Sequence, residues 1–302
     1  MGVLAQHYRP TGCTRHTPVD LLIVLEIHAM RIGFATPLDA TSRLTWSGTP
    51  SFMADALARH GIEVVQLGPM SPALSKPMRL AGRLSSRFLS KRIADRHVIP
   101  LARAYGRMLS ARVAAARPDV VFAPAGAQLL AYADLPVPVI YASDATFAAM
   151  VDYYPEFTNL YALSKRHGDT IERRAIARAD LLTYPSDWAA QSGIRDYGAD
   201  PARVEVIPYG ANLEQSPAPA EAAARTPPGD RCRLLFIGTN WERKGGPTAV
   251  ETLAALRGIG IDASLTVCGC VPPADQQVPG VIVEGFLDKT DPVDAARLVR
   301  LY

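Results

Sequence analysis

The sequence predicts two α/β units in series, each a doubly wound parallel sheet with helices on both faces, the second unit incomplete. Three observations carry that expectation. From Met30 onward, short runs rich in Val, Ile and Leu alternate with helical patterns. The stretch "NLEQSPAPAEAAARTPPGD" (212–230), rich in Pro, Ala and charge, then interrupts the alternation and holds no strand pattern. A fresh alternation begins at "CRLLFIG" and reaches Tyr302 after only three strand patterns and two helices. The organisation therefore reads as 30–211 for the first unit, 212–230 for a linker and 231–302 for a partial second unit.

Taken in order, residues 1–29 look unlike the rest and read as a non-native or flexible extension, with Met30 as the natural start. "DLLIVLEIHA" (20–29) is too short for a spanning helix, is broken by Glu26, and lacks the flanks of a signal peptide. The strand candidates are "IGFATP" (32–37), "IEVVQL" (62–67), "DVVFAP" (119–124), "VPVIYAS" (137–143), "ADLLTYPS" (179–186) and "VEVIP" (204–208). Their near-continuous apolar character predicts parallel strands buried on both faces. Between them, "TPSFMADALARHG" (49–61), the long stretch 79–117 and "TIERRAIARA" (170–179) carry helical patterns.

Composition excludes several classes. A net charge of +3 over 302 residues is too weak to argue for nucleic acid. The four cysteines, Cys13, Cys232, Cys268 and Cys270, fit neither a disulfide framework nor a zinc spacing. They read as buried, reduced thiols of a cytoplasmic protein. His28, His60, His97 and His167 show no ligand spacing and read as surface residues, so no metal is expected.

The segment "LLFIGTNWERKGGPTAV" (234–250) is the most informative. A strand ending at Gly238 and a helix starting near Gly245 would place a helix N-terminus at the carboxyl edge of the sheet, a natural anion site. Lys244 adds a cation, and Gly245 and Gly246 allow close approach of a ligand. The spacing matches neither a Walker A loop nor GxGxxG, and a solvated Lys-Gly turn would look the same. In the first half, Ser47, Gly48 and Thr49 stand at a helix entrance where donor phosphate or acceptor could meet free amides. Thr49 as a plain N-cap followed by Pro50 fits equally. Arg79, Arg83, Arg87 and Lys91 recur every four positions, and Arg92, Arg96, Arg103, Arg107, Arg112 and Arg117 follow. On a helix the first four form one basic stripe. It is either a solvated face or a dock for an anionic acceptor or anionic membrane surface.

As a set and in this order, "VIPYGANLE" (206–214), "LLFIGTNWERKGG" (234–246), "LTVCGC" (265–270) and "VEGFLDKTDP" (283–292) resemble the retaining glycosyltransferases of family 4, which have the GT-B fold of two Rossmann-like domains. The upstream "ARADLLTYPSDWAAQSGIRDYGADPARVEVIPYG" (177–210) fits the same family. The resemblance implies an acceptor-side first domain and a nucleotide-sugar-binding second domain. It implies sugar transfer with retention, using a nucleotide-diphosphate sugar as co-substrate and no further cofactor. Lys244 matches the family's diphosphate lysine, with Gly238 and Gly245 framing its turn. Many members carry arginine directly after the strand-ending glycine; here Thr239 stands there, and Arg243 is the candidate for the second phosphate contact. Asp144 occupies the cleft position of a polar residue that orients acceptor or sugar, and is the candidate catalytic group; as an alternative, it caps the next helix through the amides of Thr146 and Phe147. Two glutamates with which the family grips sugar and ribose would fall beyond Tyr302, so a non-catalytic remnant or binding module is the alternative, and a nucleotide-sugar epimerase a third. The acceptor, whether saccharide, lipid or small molecule, is not specified. The expected location is cytoplasmic, or peripheral at the inner face of the membrane.

Overall fold

Side chains of opposite parity on one strand point to opposite faces of a sheet, and the third strand of this protein shows what that requires. In the computed structural model, which describes residues 30–88, 90–213, 220, 224 and 231–302, Val121 and Ala123 enter one core cluster while Phe122 enters another. A strand with apolar neighbours on both faces needs helices on both sides, and that is the architecture.

The strands β1 (Arg31–Phe34), β2 (Glu63–Gln66), β3 (Val120–Pro124), β4 (Val139–Ala142), β5 (Leu181–Tyr184) and β6 (Val204–Val206) form a six-stranded sheet in the order β2-β1-β3-β4-β5-β6. All neighbours run parallel. Each strand overlaps its predicted run, and all but β3, which ends at Pro124 as expected, end earlier at the carboxyl side, where the chain turns off the sheet. On one face, α1 (Thr49–Arg59) brings Met53, Ala54 and Leu57 to Phe34 and Phe122, whose rings meet edge-on at 5.5 Å. On the other, α3 (Ile99–Ala116), α4 (Ala127–Leu130), α6 (Ala162–Arg178) and α7 (Asp187–Tyr197) cover Val121, Ala123, Tyr141 and Leu182. Leu109, Leu129 and Ile171 are fully buried there, each contributing about 1.5–3 kcal/mol.

The stretch 79–117 is not one helix. α2 (Ser75–Phe88) and α3 are separate, and Lys91 lies beyond the end of α2. The chain between them is held extended: the Arg92 amide donates to the Asn159 carbonyl at 2.9 Å. Pro100 then sits in the first turn of α3, where its missing N–H costs nothing. The basic residues accordingly part company. Arg112 donates to the carbonyls of Leu67 and Pro69, and Arg103 stacks on Tyr132. Likewise α6 begins at Ala162, well before the predicted 170. The short helices α4 and α5 (Phe147–Met150) escape a periodicity analysis.

A second sheet, β7 (Arg231–Ile237), β8 (Asp262–Cys268) and β9 (Val281–Gly285), is three-stranded and parallel in that order. Helix α8 (Gly246–Gly258) packs Leu253 onto Ala263, Leu265 and Val267. Helix α9 (Pro292–Leu301) sets Leu298 against Cys268 and Leu287. Of the thiols, Cys268 is buried, whereas Cys232 and Cys270 are half-buried and all three are free. Residues 1–29, the expected extension with Cys13 and His28, and most of the linker 212–230 lie outside the described residues. Among the described residues no helix is long and apolar enough to cross a membrane.

Candidate functional site

In the strand order β2-β1-β3, the chain reverses its winding between β1 and β3. Crevices at such switch points, outside the carboxyl ends of the strands, hold ligands in open parallel sheets. A cavity of about 650 Å³ opens there, lined among others by Trp46, Ser75, Arg79, His97, Gln128 and Asp144.

The first wall is the loop between β1 and α1. Trp46, Ser47 and Gly48 take φ values of 47°, 57° and 85° in succession. Two non-glycine residues in the left-handed region cost of order 1–3 kcal/mol each, so the surroundings must impose the shape. Arg43 stacks on Phe52 at 4.2 Å and donates to Ser51 Oγ and Asp55 Oδ2 at 2.8 and 2.7 Å. Asn212 Nδ2 donates to the Ser47 carbonyl and to Thr49 Oγ1 at 3.1 and 2.9 Å. The N-cap of α1 is Gly48, without a side-chain cap; Thr49 is the first helical residue and does not cap. The three residues do stand at the helix entrance as expected, with Ser47 exposed and Gly48 and Thr49 buried. The distorted loop turns Trp46 edge-on to Tyr209, ring centroids 5.9 Å apart.

Asp144 follows β4. It does not cap α5: Thr146 Oγ1 accepts the Ala149 amide and is the N-cap. That frees Asp144 to face the cleft. Its carboxylate stays accessible to solvent, yet protein crowds around it, and this desolvation raises its pKa. Hydrogen bonds from its own and the Ala145 amide and from the Trp46 side chain oppose the rise, as does the charge of Lys244.

The turn between β7 and α8 approaches Asp144 from the second unit without lining that cavity. Gly245 (φ 82°) is the N-cap of α8 and no side chain caps that helix. A Cβ on Gly246 would lie 2.1 Å from the Trp241 ring, so only glycine lets the turn fold down onto Trp241. Trp241 in turn packs on Phe236 at 4.9 Å and donates to Gln276 Oε1 at 2.7 Å. Lys244 and Arg243 stay exposed at the rim, and the Arg243 guanidinium lies 5.7 Å from the Tyr154 ring of the first unit. Lys244 is close enough to Asp144 for the two charges to couple.

The structure thus gathers Asp144, Lys244 and Arg243 at one gap between the sheets, with Ser47, Gly48 and Thr49 behind Trp46. Gly238 lies directly beyond β7 beneath the Lys244 side chain, 3.0 Å from its Cγ to a Cβ placed on the glycine. Sequence reasoning missed Trp46, Tyr154, Tyr209 and Trp241. Tyr209 and Trp241 had a signal in their places within "VIPYG" and "LLFIGTNWERKGG"; Trp46 and Tyr154 had none. His97 is the clearest error: it is buried, not on the surface. Its ring meets Phe147 and Phe157 at 5.0 and 5.4 Å, and its Nε2 lies 3.2 Å from Gln128 Nε2. Burial, aided by the neighbouring charge of Arg96, lowers its pKa to about 4. Deeper still, Glu172 accepts the Tyr141 hydroxyl at 2.9 Å, and burial raises its pKa to about 7.

The sequence profile of Glycosyltransferase Family 4 matches residues 52–215, more than half of the chain. The chain belongs to glycosyltransferase family 4. A D-inositol 3-phosphate glycosyltransferase of Kineococcus radiotolerans is 37% identical over 89 residues, which are 28% of this chain and 20% of that protein. The match thus spans about a fifth of that relative's length. The sucrose-phosphate synthase of Thermosynechococcus elongatus superposes with a TM-score of 0.52 at 14% identity, covering 90% of this chain and 73% of its own. That likeness shows the shared two-sheet GT-B fold. The UDP-GlcNAc 2-epimerase of Methanocaldococcus jannaschii reaches only 0.40 at 12% identity, covering 86% and 74% of the two chains, too little to argue from.

Proposed function

We propose that this family 4 chain holds a nucleotide-diphosphate sugar in the gap between its two sheets and transfers the sugar, with retention, to an acceptor in the 650 Å³ cavity. The observation that carries the reading is the meeting of Asp144 and Lys244 from opposite sheets. In this account residues 30–211 form the acceptor-side domain and 231–302 the donor-side part, joined by 212–230. Lys244, with Arg243 beside it, neutralises the leaving diphosphate as its charge grows. Fixed cations serve that step well because they need no reorganisation. Gly238 and Gly245 keep the turn open to the phosphates, and the entrance at Ser47, Gly48 and Thr49 faces donor or acceptor. Asp144 orients the acceptor hydroxyl. The buried Ser75 Oγ and Gln128 Oε1, both without a hydrogen-bond partner among the described residues, suit a hydroxyl-rich acceptor, in line with the inositol phosphate in the Kineococcus enzyme's name. Free thiols suit a cytoplasmic setting.

The test is transfer from labelled uridine and guanosine diphosphate sugars to polyol and saccharide acceptors, with the product anomer read by NMR. A product with the donor's anomeric configuration supports the proposal. Nucleotide binding without product would leave a binding module, and an inverted product would overturn the retaining mechanism.

A further inference from the structure

Among described helices of eight residues or more, α2 alone buries no apolar side chain; its buried residues are Ser75 and Ser85. Its large apolar groups face outward instead: Leu80, Leu84 and Phe88 are 58%, 47% and 70% exposed. A four-residue step on a helix drifts by only about 40°, so the three form one stripe. Lys76, Arg79, Arg83 and Arg87 lie directly alongside it and are all exposed. The helix has no Asp or Glu, and among the described residues none of the four cations has an ion-pair partner. One half of the outer face is therefore cationic and the other half apolar.

We propose that α2 is an interfacial helix that lies on an anionic lipid bilayer, Leu80, Leu84 and Phe88 dipping among the acyl chains and the arginines meeting the headgroups. That division of one helix face is what an interface between water and lipid selects. A second copy of the chain fits poorly, since pairing α2 with α2 would set four cations against four. The basic surface expected over 79–117 thus narrows to α2. Ser75 and Arg79 also line the 650 Å³ cavity. Resting on the acceptor role proposed for that cavity, a docked α2 would present it to molecules in the headgroup layer.

The experiment is co-sedimentation of the full chain with vesicles of phosphatidylcholine alone or mixed with phosphatidylglycerol, at low and high salt. It requires no transferase activity, so it can fail or succeed independently of the catalytic reading. The expected result is at least about tenfold more binding to the anionic vesicles, weakening as salt screens the charges. The double variant Leu84→Ser/Phe88→Ser should keep its melting temperature and lose most of the partitioning. Arg83→Gln/Arg87→Gln should lose the preference for anionic lipid. Equal binding to both vesicles, binding to neither, or double variants that bind like the parent would overturn the proposal. So would a dimer that Phe88→Ser dissolves in a chain that ignores vesicles, which would make the stripe a contact between copies.

Discussion

The two strand-to-helix turns that face each other across the cleft are built by different means. The turn after β7 gets its shape from glycine: Gly245 supplies the left-handed residue and Gly246 the close approach to Trp241. The loop after β1 reaches the same kind of helix entrance with Trp46 and Ser47 themselves left-handed, held by Arg43 from one side and Asn212 from the other. One turn is inherently permissive. The other is forced by its neighbours. A local sequence signal announces the first kind of turn and hides the second.

Four sets of measurements put that contrast to the test. The largest effect concerns Trp241, the floor of the glycine turn. Trp241→Ala should cost about 3–5 kcal/mol, read as a lower denaturation midpoint, and should weaken nucleotide binding with it. Unchanged stability would mean that glycine alone shapes the turn.

The second concerns the buried groups behind the first wall. Glu172 has its pKa raised from 4.5 to about 7. Between those values the native state keeps a proton that the unfolded state has lost, so stability falls as pH rises through this window. The full effect is about 3 kcal/mol at 1.36 kcal/mol per unit. His97, lowered from 6.5 to about 4, works the other way: the unfolded state takes up the proton first, so stability falls as pH drops through that range. The two slopes oppose each other between about pH 4.5 and 6.5, and the parent protein should be nearly flat there. Glu172→Gln, still accepting from Tyr141, should turn that plateau into a rise with pH and gain about 2–3 kcal/mol over the parent at pH 8. Chemical denaturation across pH reads both.

Third, Asn212→Ala removes both hydrogen bonds to the β1–α1 loop. It should cost about 1–2 kcal/mol and raise the KM for acceptor more than that for donor. The smallest effect belongs to Arg243. Its guanidinium stacks on Tyr154, so Arg243→Ala should weaken nucleotide binding by a few-fold at most, about 0.5–1 kcal/mol.

Much of the fold was legible in the sequence because parallel strands with apolar side chains on both faces read as nearly unbroken apolar runs, although β2, β6 and β9 are only half-buried or exposed rather than buried on both faces as expected. All six strands of the first sheet and all three of the second overlap such runs. The turn after β7 was legible because few residues other than glycine suit the left-handed cap that Gly245 supplies. The loop after β1 was not, because its shape is set by contacts between residues far apart in sequence. Asn212 reaches Thr49 across 163 positions. Trp46 and Tyr209 meet only once the sheet has formed. His97 looked like a surface residue because nothing in "ADRHVIP" shows that Phe147 and Phe157 will close over it. The basic run misled in the opposite sense. Its regular spacing continued past Phe88, where the helix stops, and the apolar stripe beside it went unremarked.

The central claim is that Lys244 from the second sheet holds a diphosphate opposite Asp144 from the first. Calorimetric titration of uridine and guanosine diphosphates into the parent, Lys244→Ala and Asp144→Asn tests it most directly. The account predicts about tenfold weaker binding for Lys244→Ala, or about 1.4 kcal/mol. For Asp144→Asn it predicts equal or tighter binding, since a nearby negative charge is removed. Lys244→Ala binding nucleotide as well as the parent, or Asp144→Asn losing affinity, would contradict it.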